Sequence, residues 1–120
     1  MWQEKRVHKR ITLSLPIDYE YLGTDKKECS STVSKDVSEG GLRLALNKFY
    51  SPKTKFLLKI NLEGLNRIIE TIAEIAWSFN AQFSNRYYSG LRFVGMSSLD
   101  QRMLKEYIEM RGITKTQQLS

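Results

Sequence analysis

One segment near the start of the chain alternates strictly between apolar and polar side chains. Its apolar positions are Ile11, Leu13, Leu15, Ile17, Tyr19 and Tyr21. Successive side chains of a β-strand point to opposite faces, so this pattern predicts a long strand with one face in a core. Pro16 interrupts the segment, and because proline cannot donate to a strand ladder it marks an edge position or a bulge. A fold for this chain therefore has to contain a sheet with one buried face.

The same alternation returns along the chain. A weaker strand is predicted from Cys29 to Lys35, and clearer ones over Leu42–Leu46, Phe56–Leu62, Ile69–Phe79 and Tyr87–Gly95. In the long segment Ile69–Phe79, Trp77 and Phe79 are predicted to share the inward face with Ile75. Trp77 is expected in the core or at the barrel rim, with a place in a ligand site as the alternative, and Leu91 and Phe93 of the last strand are predicted inward. Several strands with turn signals between them and no intervening helix predict an antiparallel barrel or sandwich.

The pattern changes to a helical period near the end. The apolar side chains that share one helical face are Leu99, Met103, Leu104, Tyr107 and Ile108. Ser98, followed three residues later by Gln101, predicts a capping-box start, and Gly112 offers a C-terminal stop. We therefore expect an amphipathic helix over residues 98–111 that packs across the barrel of residues 11–95. Residues 113–120 are expected to form a flexible tail.

The chain length fits one domain, predicted over residues 1–112. With 120 residues, 41% hydrophobic and 27% charged, the chain has the composition of an ordinary globular domain. No stretch reaches the length of a membrane span, and no apolar region follows the N-terminal charges as in a signal peptide. A single cysteine, Cys29, permits no internal disulfide. These features together predict a cytoplasmic protein that does not insert into a membrane.

A net charge of +6 favours an anionic partner. Basic side chains are concentrated before the first strand, at Lys5, Arg6, Lys9 and Arg10, so residues 1–10 are predicted to form a mobile basic arm. The guanidinium groups of Arg6 and Arg10 could grip phosphate oxygens or the edge of a guanine in bidentate fashion. The alternative is an arm whose charges are simply hydrated.

The segment from Asp36 to Gly41 combines a carboxylate, a hydroxyl and two adjacent glycines. Asp36 can accept hydrogen bonds from N–H donors such as those on the edge of guanine, and Ser38 can donate or accept. Gly40 and Gly41 allow a positive φ and a close approach of backbone to ligand. The alternative is a structural turn that uses the same groups for local hydrogen bonds.

The two segments resemble a pair of known motifs. Arg6-x-x-x-Arg10 followed by Asp36-x-Ser38-x-x-Gly41 is similar to the RxxxR and (D/N)xSxxG motifs of the PilZ domain. Further parts of the chain that resemble the family are Leu42–Leu46, Ala73–Trp77, Gly90–Phe93 and the C-terminal helix. The resemblance extends over roughly Glu4 to Met110.

This resemblance implies a six-stranded antiparallel β-barrel with a C-terminal helix that serves as a receptor for cyclic di-GMP, a bacterial second messenger. In the family the two motif arginines hold the phosphates and guanine faces of the ligand, which implies those roles for Arg6 and Arg10. The aspartate and serine of the second motif contact a guanine, which implies that role for Asp36 and Ser38.

The resemblance also implies that Gly41, together with its neighbour Gly40, lets the backbone come close to the ligand. Lys5 is a further candidate, since a basic residue is frequent at its position in the family. The ligand is expected to neutralise the arm, fold it onto the barrel and alter the surface seen by a protein effector. The sequence does not define the effector, the cellular process, the ligand stoichiometry, the affinity or the choice between monomer and homodimer.

Other function classes have less support. His8 is the only histidine, and with Cys29 alone it cannot form a usual four-ligand zinc site, so no metal is expected. No nucleophile–base pair is evident, so the chain is not expected to be an enzyme, and no cofactor is expected. A small barrel that binds single-stranded nucleic acid is one alternative, disfavoured because most aromatic side chains are predicted inward. The other alternative is a PilZ-like module that mediates protein interaction without binding nucleotide.

Overall fold

The computed structural model describes residues 10–80 and 85–119. The elements in this part of the chain are β1 (Arg10–Thr12), β2 (Pro16–Tyr21), β3 (Glu28–Ser38), β4 (Gly41–Leu46), β5 (Lys55–Leu62), β6 (Arg67–Asn80), β7 (Tyr87–Phe93) and α1 (Ser98–Leu119). Neighbouring strands run in the order β3-β2-β5-β6-β7-β4, and pairing of β4 with β3 closes the ring. All pairings are antiparallel. The prediction of a closed six-stranded antiparallel barrel with a C-terminal helix is confirmed.

Alternating side chains fill the interior of the barrel. Strand β5 shows the pattern most clearly, since Phe56, Leu58, Ile60 and Leu62 are each at most 1% exposed while the residues between them are not fully buried. The inward side chains of the other strands join the same core. Leu91 is buried and Phe93 packs against the core, as predicted. Burial of this apolar area provides the main driving force for folding.

The first predicted strand is divided into β1 and β2, which both pair with β3. Its alternation is nevertheless preserved because the gap stays bonded to β3: the Leu13 N–H donates to Lys35 O and the Ser34 N–H donates to Leu15 O. The buried Ser34 hydroxyl adds two further bonds, accepting from the Leu15 N–H at 2.9 Å and donating to Leu13 O at 2.5 Å. The Ser34 hydroxyl thus provides hydrogen-bond partners for two backbone groups in the gap between β1 and β2.

Replacing Ser34 with alanine should lower the free energy of unfolding by about 1–3 kcal/mol. The substitution leaves the buried Leu15 N–H without its side-chain acceptor, and water reaches this position poorly because Ser34 is 1% exposed. Urea denaturation measures the change. The matched control is Ser31→Ala, which removes an exposed hydroxyl hydrogen-bonded to Asp18 and is expected to cost less than about 0.5 kcal/mol. Equal losses in the two variants would contradict the role given to Ser34.

Strand β6 contains a β-bulge between Ile75 and Trp77, and it corrects the prediction that Trp77 and Phe79 face inward. Ile75 pairs with Leu91 and Trp77 pairs with Gly90, so the chain uses one residue more than its partner strand. The extra residue reverses the alternation. Ile75 is buried, whereas Trp77 and Phe79 are 39% and 55% exposed. The prediction assumed an uninterrupted alternation of side chains, and the sequence contains no sign of the bulge.

The bulge places Trp77 and Phe79 on the outer face of the barrel, beside Tyr88 of β7. We call these three rings the aromatic stripe. The rings of Trp77 and Phe79 stack with centroids 5.9 Å apart, and the Phe79 and Tyr88 centroids are 5.7 Å apart. The Lys35 ammonium lies over the Tyr88 ring, 5.1 Å from its centroid. The prediction that most aromatic side chains face inward, which disfavoured nucleic-acid binding, is therefore wrong for this part of the surface.

Helix α1 contributes Leu104, Tyr107 and Ile108 to the core, as predicted. Two details of the prediction are wrong. Leu99 is 58% exposed, and the cap is one residue earlier than expected, because the Ser97 hydroxyl accepts the Asp100 N–H at 3.2 Å. Ser97 and Asp100 have the same spacing as the predicted pair, so the pattern alone did not distinguish them.

The predicted stop at Gly112 is also corrected, because α1 continues through Gly112 to Leu119, while the flexibility of residues 113–120 stays a prediction. A single glycine inside a helix costs only about 1 kcal/mol relative to alanine, and no proline follows it. The described part of the chain contains no helix that is both long and apolar enough to cross a lipid bilayer.

The helix is attached to the connection between β5 and β6. The Tyr107 hydroxyl and the Arg111 guanidinium both donate to the backbone carbonyl of Glu63, and Arg67 pairs with Asp100 at 3.0 Å. Burial, the largest cause, raises the pKa of Tyr107 above its ordinary value. Since the strands are antiparallel, this is the end of the barrel at which β3 ends and β4 begins. The helix and the second motif therefore lie at the same end.

A candidate ligand site on the outer face of the barrel

The structure brings five of the seven predicted site residues together. Asp36 and Ser38 lie in the last part of β3, Gly41 begins β4, and Arg10 in β1 is the direct register partner of Ser38. The predicted turn is shorter than expected, because only Glu39 and Gly40 connect the two strands.

The arm prediction is changed at its last residue. Arg10 belongs to the sheet, where it is the first residue of β1. The remaining candidates in the arm, Lys5 and Arg6, lie outside the described residues.

Ser38 is engaged by its own turn. Its hydroxyl accepts the N–H groups of Gly40 and Gly41, each at 3.2 Å, and lies 3.3 Å from the Gly41 carbonyl, to which it donates. These are the local bonds expected of a structural turn. Ser38 therefore fixes the shape of the Glu39–Gly40 connection whatever else it binds.

Gly41 is required by a close approach between strands and not by a positive φ. Among the described glycines only Gly64 has a positive φ, so the predicted positive φ at Gly40 and Gly41 is wrong, while their close approach to a ligand stays a prediction. A Cβ on Gly41 would instead collide with the backbone carbonyl oxygen of Leu91 in β7. Backbone cannot move aside as a flexible side chain can, so this position accepts only glycine at the observed spacing of β4 and β7.

Asp36 is a buried carboxylate with one side occupied and one side open. Its side chain is 7% exposed. Oδ2 receives the Nε of Arg43 at 2.7 Å and the Nη2 of the same residue at 2.6 Å. Oδ1 accepts no hydrogen bond from any residue that the structure describes. A buried charged oxygen without a donor is costly, so Oδ1 is suited to accept one from a ligand.

Arg10 approaches Asp36 from the opposite side to Arg43. The Nε of Arg10 lies 3.8 Å from Oδ1, which allows charge attraction but is too long for a hydrogen bond. Its side chain is 32% exposed, so its donors can reach solvent. One carboxylate thus lies between two guanidinium groups, and the local excess of positive charge favours an anion.

A row of cross-strand neighbours connects Asp36 to the aromatic stripe. Asp36 pairs with Arg43, Arg43 pairs with Gly90, and Gly90 pairs with Trp77. The Trp77 indole lies over Gly90, where any Cβ would meet the ring. Because paired residues share a face, the carboxylate, the Arg43 guanidinium and the indole lie side by side on the outer face.

A cavity of about 310 Å³ lies further along the same face, lined by Lys35, Arg43, Phe79 and Tyr88. Sequence reasoning missed Arg43 and Lys35, and it placed Trp77 incorrectly. The only signal for Arg43 was its polar character between Leu42 and Leu44, which identifies an outward position without identifying its partner across the sheet.

A second ion-pair cluster borders the site. Glu74 on β6 pairs with Arg92 on β7 and with Lys55 on β5, the latter at 3.4 Å. The hydrogen bond from Arg92 is the largest influence on Glu74 and lowers its pKa below the ordinary value. Arg92 is also the register partner of Gly41. Glu74 thus pairs with both cations of this cluster, whereas Arg10 keeps exposed donors beside Asp36.

The Glu39–Gly40 connection also contacts the segment that leads into the helix. The Phe93 N–H donates to the Gly40 carbonyl at 2.9 Å, and a cavity of about 330 Å³ lies between the two segments, lined by Glu39, Gly40, Phe93, Val94, Gly95, Met96 and Gln101. The second motif is thus hydrogen-bonded to the segment that leads into α1. Within residues 10–80 and 85–119, no group of histidine, cysteine, aspartate and glutamate side chains could hold a metal ion.

Comparisons with known proteins identify solved structures with a similar fold. The chain superposes on MotI (DgrA), an inhibitor of motility from Bacillus subtilis, with a TM-score of 0.80 and 25% identity, over 94% of this chain and 54% of that one. It superposes on the PilZ domain of YcgR from Escherichia coli, solved with c-di-GMP, with a TM-score of 0.70 and 16% identity, over 95% and 98% of the two chains.

The MrkH–c-di-GMP complex of K. pneumonia gives a TM-score of 0.73 at 20% identity, over 98% of this chain and 57% of that one. The chain therefore spans about half the length of MotI and of MrkH. A comparison with curated proteins gave no match. The family model of the PilZ domain matches residues 4–110. With nearly the whole chain matched and the barrel closed as the motifs implied, the chain belongs to the PilZ domain family.

Proposed function

We propose that this chain is a receptor for cyclic di-GMP. Membership of the PilZ family and the c-di-GMP complexes of YcgR and MrkH support the ligand class. The observation that carries the proposal is the state of Asp36. This buried carboxylate has one oxygen held by Arg43 and the other without a hydrogen-bond donor in the described part of the chain, and it lies beside the exposed Arg10.

The ligand offers what these groups lack. Guanine carries N–H donors that suit the open Oδ1 of Asp36, and the phosphates of the ligand suit the guanidinium of Arg10. Arg6 and Lys5 would supply further cations from the arm. The backbone at Gly40 and Gly41, held in shape by the Ser38 hydroxyl, would border the base.

Trp77 extends the proposed site beyond the family motifs. Its ring is partly exposed and lies on the same cross-strand row as Asp36 and Arg43. A base held at Asp36 could stack on an indole in this position, and stacking of a base on an aromatic side chain typically contributes about 1–3 kcal/mol. The aromatic stripe would then supply the flat surface and Asp36 the hydrogen-bond acceptor.

Binding is proposed to change the surface that a protein effector contacts. Neutralisation of the basic arm by the ligand would fold the arm against β1, and the Glu39–Gly40 connection would transmit the change to the start of α1 through Phe93. The proposed receptor acts through a conformational change and has no catalytic step. The exposed free Cys29 fits a reducing cytoplasm.

A calorimetric titration of the folded protein with cyclic di-GMP tests the proposal. We expect saturable binding that changes little between about 50 mM and 200 mM salt, because a ligand with two phosphates releases few counterions. Asp36→Asn, which keeps the shape of the side chain and removes its charge, is expected to weaken binding at least about tenfold. The absence of heat from a folded wild-type protein would contradict the proposal.

One observation favours a second candidate, binding of single-stranded nucleic acid. The aromatic stripe, Lys35 and Arg43 together form a stacking surface flanked by cations on a small β-barrel. A labelled single-stranded oligonucleotide discriminates between the candidates, because its affinity would fall by orders of magnitude over the same salt range. Oligonucleotide binding that requires Phe79, without any binding of cyclic di-GMP, would favour this second function.

A further inference from the structure

The ion pair between Asp36 and Arg43 is built into the barrel. The two residues are direct register partners on β3 and β4, so the backbone places their side chains together before any ligand arrives. Both Nε and Nη2 of Arg43 converge on a single oxygen, Oδ2. This two-donor contact fixes the rotation of the carboxylate as well as its position.

Arg10 does not hold Asp36 in this way, because its closest contact with Oδ1 is 3.8 Å. Burying the Asp36 carboxylate, which is 7% exposed, costs free energy that a bonded cation offsets. Arg43 supplies that cation. Arg10 can therefore turn towards a phosphate without leaving Asp36 unpaired. Arg43 would then orient the carboxylate that binds the base, and Arg10 would bind the phosphate.

With Oδ2 held, Asp36 presents Oδ1 as an acceptor. Guanine matches this group because its Watson–Crick edge carries N–H donors, whereas adenine has an acceptor at the corresponding ring nitrogen and would bring two acceptors together. We propose that Arg43 is the positioning residue that sets the preference of this site for guanine over adenine. The inference rests on the binding of cyclic di-GMP proposed above and adds a specificity determinant that lies outside both motifs.

The test compares two ligands on one set of variants. Wild type, Arg43→Gln and Arg43→Lys are each titrated with cyclic di-GMP and with cyclic di-AMP, and the ratio of the two affinities is the readout. Arg43→Gln should reduce the preference for cyclic di-GMP over cyclic di-AMP at least about tenfold, because the Asp36 carboxylate loses the two guanidinium donors that orient it. Arg43→Lys keeps the charge without the fork and should restore part of the ratio. A general loss of structure would lower both affinities and would not change the ratio in this order.

Two controls separate the outcomes. Lys59→Gln removes one positive charge from β5, three strands away from β4 around the barrel, and should leave the ratio unchanged. In an Asp36→Asn background, Arg43→Gln should have no further effect on the ratio, since the group that it orients is gone.

A wild type that prefers cyclic di-GMP and an Arg43→Gln variant with the same preference would overturn only the role of Arg43. A wild type that binds neither nucleotide would overturn the proposed function and this inference with it. If Arg43→Gln does not fold, Arg43→Lys carries the test, with a ratio at least about threefold below wild type expected and an unchanged ratio overturning the inference.

Discussion

Replacing Arg10 with alanine is expected to reduce the affinity for cyclic di-GMP at least about 30-fold, the equivalent of about 2 kcal/mol or more. The residue provides the exposed guanidinium beside the open Oδ1 of Asp36. Its loss would remove the proposed hydrogen-bond donor to a ligand phosphate and one of the two guanidinium groups beside the carboxylate. Calorimetric titration of wild type and variant under identical salt conditions measures the difference.

The loss should be confined to binding. Arg10 has an exposed side chain and no close hydrogen bond to Asp36, so urea denaturation should show almost the same free energy of unfolding in variant and wild type. Lys59→Ala is the matched control, because it removes an equivalent charge from a distant exposed position. Affinity within about threefold of wild type in Arg10→Ala would remove Arg10 from the site.

Replacing Gly41 with alanine is expected to lower the free energy of unfolding by about 3 kcal/mol. The new methyl group would collide with the Leu91 carbonyl, and relief requires β4 and β7 to separate where the barrel is closed on both sides. The same movement would displace the Glu39–Gly40 connection. The variant should therefore lose ligand affinity together with stability.

Urea denaturation of Gly41→Ala beside Gly95→Ala isolates the cause. Both substitutions add the same methyl group, but at Gly95 the nearest heavy atom is the side-chain Cβ of Ile72 at 3.3 Å, which can yield slightly. Gly95→Ala is expected to cost less than about 1 kcal/mol. Equal costs in the two variants would show that the approach of β7 does not restrict Gly41.

Much of the fold could be predicted from local patterns. Strict alternation such as that of Phe56 to Leu62 reports burial directly, because one face of each strand meets the core. The errors occurred where the chain departs from regular geometry. The bulge beside Trp77, the correct cap at Ser97 and the continuation of the helix past Gly112 each depend on contacts or on residue counts that alternation does not contain.

The residues of the candidate site were likewise predicted only in part. The residues of the second motif were identified because their types and spacing resemble the family, and the structure places them beside Arg10. Arg43 was missed because its importance comes from cross-strand register, which is decided by the bulge between Ser34 and Asp36 and not by spacing along the chain. The positive φ predicted for Gly41 was also wrong, and the restriction that the structure shows there comes from β7, about fifty residues further along the chain.

After Ile75, the pairing of β6 with β7 decides which face of the sheet a β6 side chain occupies. The number of residues along the chain does not decide it. Ala76 is the residue that the partner strand does not match, so a chain without it would still place Trp77 opposite Gly90. The chain can thus lose this one residue and keep the same side chains on the outer surface. Gly90 has no such tolerance, because any side chain there would displace the indole. Insertions and deletions among relatives should therefore collect at the bulge, while the glycine across from it should change little.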